Sequence, residues 1–413
     1  MKRFFALLFI PLLVACGKPE IDVPFQSIPE AYPTLKKVLE NPEQYQVQIL
    51  FSTPSKDISG QIQFTDHSIA LDDDKYFYPA STVKLPVALL ALEWLESLDI
   101  HGLTTQSIMI TDSVRNSQTS ASLDSTALDN LPSIEHYIKK ILLVSDNDAY
   151  NRLYELLGQD YINQSLQAKG LVHTVINHRL SLPMSEEENR HVNPIKFYSE
   201  NGDLLYSLEA RHTEVEYKNA DNPTIGKAFY QGGMLVEKPM DFTYKNKFAL
   251  SDLHGVVKRI VFPEAFPVHQ RFKISEESRL FVLKYMGMLP GESDYPSYQL
   301  PEYYDSYSKF FMFGRSKEPM PKHIRILNKT GWAYGHLLDG AYVVDLNEGV
   351  EFLVSAVIYV NENETLNDDN YQYETIGLPF FAELGDYLYQ RQLNLPKSNE
   401  NYPINLKELF ETK

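Results

Sequence analysis

YFYPASTVKLPVALLALEWLESL, the segment from residue 76 to residue 98, changes from an extended aromatic run into a helix. Apolar residues recur at helical spacing from Leu85 to about Leu98, so a long apolar helix is predicted there. Ser81 lies where the two parts meet, and free N–H groups at a helix start favour negative charge on an attacking oxygen. Lys84 follows one turn later on the same face. The pair therefore predicts a serine nucleophile with a lysine as its base.

Strand patterns lie on both sides of a block of helices in this chain. Short apolar strands precede residue 76, helical spacing returns at about 133–143, 149–157 and 160–169, and near-continuous apolar runs follow between 324 and 360. Such runs are typical of central strands covered on both faces. We therefore predict an α/β fold with an antiparallel sheet that is flanked by helices, is formed from both chain ends and has an inserted, mostly helical lobe. An active site between the two lobes would be ordinary for such a fold.

The first residues predict an export signal and a lipid anchor. Lys2 and Arg3 precede an apolar run that is too short to span a bilayer, and the run ends at Cys16, the only cysteine in the chain. This ending resembles a bacterial lipobox, in which the cysteine is acylated and becomes the first residue. The predicted segments are a signal peptide at 1–15, a tether at 16–28, a sheet domain at 29–78 and 290–395, a helical domain at 79–289 with an extra excursion at about 195–248, and a C-terminal tail at 396–413.

Composition excludes some classes of function. The formal net charge of −17 argues against a nucleic-acid partner, because phosphate binding needs a basic surface. His173, His178 and His191 occur around a polar loop, but they lack the tight spacing of metal ligands. We therefore predict no metal and no cofactor.

Two further motifs follow Ser81 and Lys84 in a fixed order. They are Ser145-Asp146-Asn147 after the second predicted helix and Lys329-Thr330-Gly331 at the start of the last strands. The three motifs together resemble the signature set of class A β-lactamases and penicillin-recognising serine hydrolases. A second Ser-x-x-Lys match at Ser306 lacks the following amphipathic helix, and we interpret it as a coincidental match.

The resemblance implies a role for each matched residue. Ser81 would be the acylated nucleophile, Lys84 its base, Ser145 a proton shuttle and Lys329 a second cation that attracts a substrate carboxylate. Substrate binding would fall to Asn147, Thr330, Gly331 and Trp332. The backbone N–H groups of Ser81 and Trp332 would form the oxyanion hole by analogy. Asp146 is interpreted as a structural hydrogen-bonding residue.

One position departs from the class A pattern. These enzymes carry a glutamate that activates water for deacylation, but in Arg179-Leu180-Ser181 a serine occupies the expected position. Glu186, Glu187 and Glu188 follow and are candidates for the missing base if the loop is reshaped. Their alternative interpretation is a solvated acidic face.

Three functions remain open at this point. The first is a β-lactamase that acts on a small-molecule β-lactam, and the second is a peptidoglycan D-Ala peptidase, or another amidase or esterase, that acts on D-Ala-D-Ala-type peptides. The third is a non-catalytic lipoprotein that binds the cell wall. In each case the lipid anchor predicts attachment to a membrane in the bacterial cell envelope, facing the periplasm or the outer surface.

Overall fold

The computed structural model describes residues 23–395 and 406–411, so the predicted signal peptide and Cys16 lie outside the described residues. The helices, in chain order, are α1 (Pro33–Glu40), α2 (Lys84–Ser97), α3 (Ile134–Val144), α4 (Asn147–Ala168), α5 (Glu186–Arg190), α6 (Leu250–Val261), α7 (Glu276–Gly287), α8 (Leu378–Asn394) and α9 (Leu406–Glu411). The strands are β1 (Gln48–Lys56), β2 (Ile62–Ile69), β3 (Ile108–Thr111), β4 (Thr174–Val175), β5 (His191–Val192), β6 (Ile195–Tyr198), β7 (Leu204–Leu208), β8 (Arg211–His212), β9 (Thr224–Ile225), β10 (Ala228–Gln231), β11 (Met234–Val236), β12 (Met240–Asp241), β13 (Lys247–Phe248), β14 (Ile324–Ala333), β15 (His336–Asp345), β16 (Val350–Tyr359) and β17 (Thr365–Leu366).

The largest sheet combines strands from both ends of the chain. Its order is β14-β15-β16-β1-β2, and every neighbouring pair is antiparallel. Side chains alternate between two apolar clusters, with Ile49 and Phe51 on one face and Leu50 on the other. Helices α1 and α8 cover the first face, and α6 covers the second. The predicted fold class is therefore confirmed.

The helical lobe is built around α2. This helix packs against α3 and α4, and every residue from Lys84 to Leu95 is buried. A helix that is apolar on all sides is expected at the centre of a lobe. Because Ser81 lies in the short turn that leads into α2, the nucleophile candidate is attached to a buried helix at the centre of the lobe.

Details of the element boundaries differ from the sequence-based prediction. The helices expected at about 149–157 and 160–169 are joined in α4, with a break at Gly158, whose φ of 73° and ψ of 161° are not helical. The polar loop around His173, His178 and His191 contains α5 and short strands. The excursion at about 195–248 consists of short strands, of which β10 pairs with β17 near the end of the chain.

The predicted C-terminal tail contains the short helix α9, whose Leu406 is buried in the larger apolar cluster. None of the helices in the described part of the chain has the length and apolar composition of a membrane span.

Candidate active site

Ser81 lies in a tight turn at the N-terminal end of α2. The turn is a short 3-10 helix over Ala80–Val83, and Ala80 has a left-handed φ of 46°. The Thr82 hydroxyl donates a hydrogen bond of 2.7 Å to the Pro79 carbonyl and so fixes the turn. Ser81 lines a cavity of about 630 Å³. Because the N-terminal end of a helix favours developing negative charge, this position suits a nucleophile.

Strand β14 approaches the nucleophile turn most closely at Gly331. A Cβ atom at this position would lie 2.7 Å from the Pro79 carbonyl oxygen and 3.0 Å from the Ser81 amide nitrogen. Only a residue without a Cβ permits such a close backbone approach. Gly331 therefore sets the distance between the strand and the turn, and its neighbours Thr330 and Trp332 also line the cavity.

Ser145, Asp146 and Asn147 form the turn between α3 and α4. Ser145 ends α3 with a left-handed φ of 62°. Asp146 is the N-cap of α4, and its carboxylate accepts a hydrogen bond of 2.8 Å from the Ala149 amide. This contact confirms the structural interpretation of Asp146. On either side of it, Ser145 and Asn147 line the cavity.

The Ser145 hydroxyl oxygen lies between two buried ammonium groups. Lys84 Nζ donates to this oxygen at 3.2 Å, to the Ser145 carbonyl oxygen, and to Asn147 Oδ1 at 2.7 Å. Lys329 Nζ donates to the same hydroxyl oxygen at 2.8 Å and to the Thr330 carbonyl oxygen at 2.9 Å. The structure therefore brings the three sequence motifs together at one cavity.

Burial lowers the pKa of both lysines. Burial and, next, the positive charge of Lys329 hold the pKa of Lys84 well below its usual 10.5, whereas Asp146 acts in the opposite direction. Burial lowers the pKa of Lys329 to about 7; the Asp339 carboxylate offsets part of this shift, and the charge of Lys309 adds to it. A lysine with a lowered pKa can supply a neutral amine near neutral pH, and a serine nucleophile requires such a base.

The serine and the lysine of the second Ser-x-x-Lys match do not line the cavity, although Tyr307 and Ser308 between them do. Lys309 is buried, and its amine donates to two backbone carbonyl oxygens and, at 2.7 Å, to the Asn328 side chain. The Ser306 hydroxyl donates to the Ser316 carbonyl oxygen at 2.6 Å. Ser306 and Lys309 make these hydrogen bonds with the surrounding chain rather than with Ser81 or Ser145, so we interpret both as residues that stabilise the structure around β14.

Ser181 lines the cavity close to Asn147. The Asn147 side-chain amide donates to the Ser181 hydroxyl oxygen at 2.8 Å. Two residues earlier, the buried Arg179 side chain donates to Glu155 at 2.9 Å and anchors the segment. Among the described residues that line the cavity, the only carboxylate belongs to the exposed Asp369. Ser181, which occupies the position expected for the deacylating glutamate of the class A pattern, therefore lies at the cavity itself.

The three glutamates considered as deacylation bases lie away from the cavity. They occupy α5, and none of them belongs to the described cavity lining. Each pairs with a cation or an imidazole: Glu186 with Arg190 at 3.5 Å, Glu187 with His191 at 3.1 Å and Glu188 with Arg115 Nε at 3.2 Å. Ser185 caps α5, and the helix directs these side chains toward neighbouring cations and imidazoles, so the geometry does not support them as the deacylation base.

Two residues of the cavity wall, Arg315 and Tyr373, were missed at the sequence level, and both lie against the predicted Trp332. The Arg315 guanidinium carbon lies 4.5 Å from the centre of the Trp332 ring, and the Tyr373 ring centre lies 5.4 Å from that of Trp332. Within the described residues, Arg315 contacts aromatic rings and the Tyr307 carbonyl oxygen rather than a carboxylate. Arg315 lies in an irregular segment after α7, where no periodic pattern or motif marks it.

Comparison with known proteins agrees with this geometry over part of the chain. Residues 35–214 match the family model described as "Beta-lactamase enzyme family". This segment resembles the serine β-lactamase-like family. It contains the Ser81, Ser145 and Ser181 positions and ends before Lys329. No curated protein matches the chain.

Solved structures with a similar outline span nearly the whole chain at low identity. A β-lactamase from Sphaerobacter thermophilus is 14% identical, with 89% of this chain and 99% of that chain covered and a TM-score of 0.47. A β-lactamase from Chitinophaga pinensis is 14% identical, with 87% and 99% covered and a TM-score of 0.48. A protein named PBP-A is 15% identical, with 88% and 97% covered and a TM-score of 0.48.

Proposed function

We propose that this chain is a β-lactamase-like serine hydrolase that opens β-lactam amide bonds through an acyl-Ser81 intermediate and hydrolyses that intermediate slowly. The observation that carries the proposal is the Ser145 hydroxyl shared by Lys84 and Lys329 at the cavity that Ser81 lines. Burial of two lysine amines costs folding stability even when they are hydrogen-bonded, so their presence beside the cavity favours a functional role. Titratable groups with strongly shifted pKa values in a cleft are typical of functional sites.

Acylation uses Ser81 and Ser145 of the cavity lining together with Lys84 and Lys329, whose amines contact the Ser145 hydroxyl. The neutral amine of Lys84 accepts the Ser81 proton as the serine oxygen attacks the lactam carbonyl carbon. The backbone N–H groups of Ser81 and Trp332 stabilise the resulting oxyanion. As the C–N bond breaks, Ser145 passes a proton to the leaving nitrogen, and Lys329 attracts the carboxylate of the substrate.

Deacylation has less support from the residues at the cavity. A water must lose a proton as it attacks the acyl-enzyme, and a serine hydroxyl such as that of Ser181 is not a base near neutral pH. Loss of a positioned general base costs about 10²–10⁴ in rate. We therefore expect acyl-enzyme to accumulate, with a burst of product followed by a slow steady state.

A peptidoglycan D-Ala peptidase is the second candidate. The observation that favours it is Arg315, a cation of the cavity wall that contacts aromatic rings instead of a carboxylate within the described residues. Arg315 and Lys329 would offer two cations to the terminal carboxylate of a D-Ala-D-Ala peptide. Both candidates share the acylation half of the mechanism.

Rapid mixing with a chromogenic lactam tests the proposal, with a D-Ala-D-Ala peptide assayed in parallel. We expect a burst close to one equivalent of enzyme with the lactam and slow turnover afterwards. Release of D-Ala at a higher rate than lactam turnover would favour the peptidase. If the Ser81→Ala variant retains either activity, Ser81 is not the nucleophile and the proposal is wrong. If the wild-type chain has neither activity, the proposal is also wrong and the non-catalytic alternative gains support.

We further propose that Cys16 is acylated and anchors the chain to a membrane of the bacterial cell envelope. The support is the apolar run that ends at this single cysteine. Export of the chain with a Cys16→Ser substitution should release it from the membrane fraction. If the variant still partitions with membranes, the anchor lies elsewhere.

A further inference from the structure

A cluster of titratable side chains lies outside the cavity. Strands β5 and β8 pair antiparallel with His191 opposite His212, and the two imidazole rings stack with their centres 4.2 Å apart. His191 caps the end of α5, and Glu187 lies one helical turn earlier. The Glu187 carboxylate lies beside both imidazole rings. Glu187 and His191 come from α5 and the strand directly after it. The pairing of β5 with β8 adds His212.

The three side chains converge on a single point. Glu187 Oε1 lies 3.1 Å from His191 Nε2 and 3.4 Å from His212 Nε2. The coordinating atoms of all three residues lie within 4.8 Å of one another. Arg190 approaches the other carboxylate oxygen, Oε2, at 3.3 Å, so Oε1 faces the two imidazoles alone.

A fourth residue fixes the orientation of one imidazole. Glu214 Oε1 lies 3.0 Å from His212 Nδ1, so this nitrogen donates its hydrogen to the carboxylate. In the neutral ring the hydrogen on Nδ1 leaves a lone pair on Nε2. His212 Nε2 is buried and has no hydrogen-bond partner among the described residues, although it faces Glu187 Oε1. Two atoms with lone pairs therefore face each other, as the ligand atoms of a bound metal ion do.

We propose that Glu187, His191 and His212 bind a divalent transition metal, with Zn²⁺ as the expected ion. Two imidazole nitrogens and one carboxylate oxygen are ligands that suit Zn²⁺, with the remaining position open to water. Glu214 would act as the outer partner that orients a metal-ligating histidine. The bound ion would cross-link α5 to β8 and so restrain the segment that begins at Ser181 of the cavity.

The sequence pattern did not indicate this metal site. Absence of a metal was predicted because His173, His178 and His191 lack ligand spacing, and the structure indeed holds His178 elsewhere, stacked on Tyr78. His212 joins His191 only through the register of two short strands. The proposal does not depend on the proposed function, because none of its ligands belongs to the described cavity lining.

Isothermal titration of the untagged, metal-free protein with Zn²⁺ tests the proposal. We expect saturable binding of one ion per chain. His191→Ala and His212→Ala should each weaken binding at least tenfold, and Glu214→Gln should weaken it by about ten- to a hundredfold as an outer partner. The exposed histidine His101, which lies outside the cluster, provides the control His101→Ala, and this variant should bind as the wild type does.

Co²⁺ absorption gives an independent readout of the ligand set. The visible bands of bound Co²⁺ should be lost in His212→Ala and in Glu187→Gln, a variant at an exposed carboxylate that leaves both imidazoles in place. If Zn²⁺ fails to bind saturably, or if binding survives both histidine substitutions, the cluster is not a metal site and the proposal is overturned. Circular dichroism of each variant separates lost ligands from lost folding.

Discussion

Replacing Gly331 by alanine should slow acylation of Ser81 because the added Cβ collides with the nucleophile turn. That atom would lie 2.7 Å from the Pro79 carbonyl oxygen, whereas ordinary contacts begin at 3.4 Å, so the strand or the turn must move by roughly 0.7 Å. Overpacking of this kind costs about 1–3 kcal/mol of unfolding free energy. Misplacement of a reacting group by about 1 Å can cost about 10²-fold in rate. We therefore expect acylation to slow by about tenfold to a hundredfold.

The assay is the rate of acylation by a chromogenic lactam, measured with urea denaturation of the same variant. Gly291→Ala is the matched control, because a Cβ at this glycine meets no atom within 4 Å, and it should change neither rate nor stability appreciably. If Gly331→Ala acylates at the wild-type rate, the close approach of β14 does not position the nucleophile and the reasoning fails. An equal loss in both variants would show that the effect is not specific to the turn.

Three further outcomes follow from the site and the core. Lys84→Ala should slow acylation by about a hundredfold or more, as loss of a positioned base does, measured by stopped-flow mixing. Ser181→Glu should raise steady-state lactam turnover by restoring a carboxylate beside the acyl group; unchanged turnover would refute the account of slow deacylation. Burial lowers the pKa of His254 to about 3, whereas the unfolded chain titrates near 6.5. The unfolded state therefore binds the proton first, and the unfolding free energy should fall as the pH drops from about 6.5 toward 3. Urea denaturation at several pH values should give a shallower fall for His254→Gln.

The sequence predicted the sheet and the three motifs because both produce local patterns. Strands β15 and β16 are almost wholly buried, so their sequences are largely apolar. Such apolar runs indicate a sheet that helices cover on both faces. Ser81 and Ser145 lie at helix ends and Lys329 lies within β14, so each motif belongs to an element that local residue spacing indicates. Their convergence required the fold, since Ser145 and Lys329 are joined by a hydrogen bond across a large separation in sequence.

Other features of the molecule carry no local signal. Arg315 and Tyr373 reach the cavity from segments without a regular period, so neither could be assigned to it. Glu187 was considered for the cavity because it is close in sequence to Ser181, but the direction of α5 turns it toward His191. His212 meets His191 through strands of two residues each, which are too short to produce a recognisable alternation.

Intact-mass measurement after exposure to a penicillin tests the central claim most directly. The account predicts a covalent adduct of one penicillin per chain, formed quickly and lost slowly, with peptide mapping that places it on Ser81. The Ser81→Ala variant should remain unmodified under the same conditions. An adduct on another residue, such as Ser306, or no adduct at any time would contradict the assignment of Ser81 as the nucleophile.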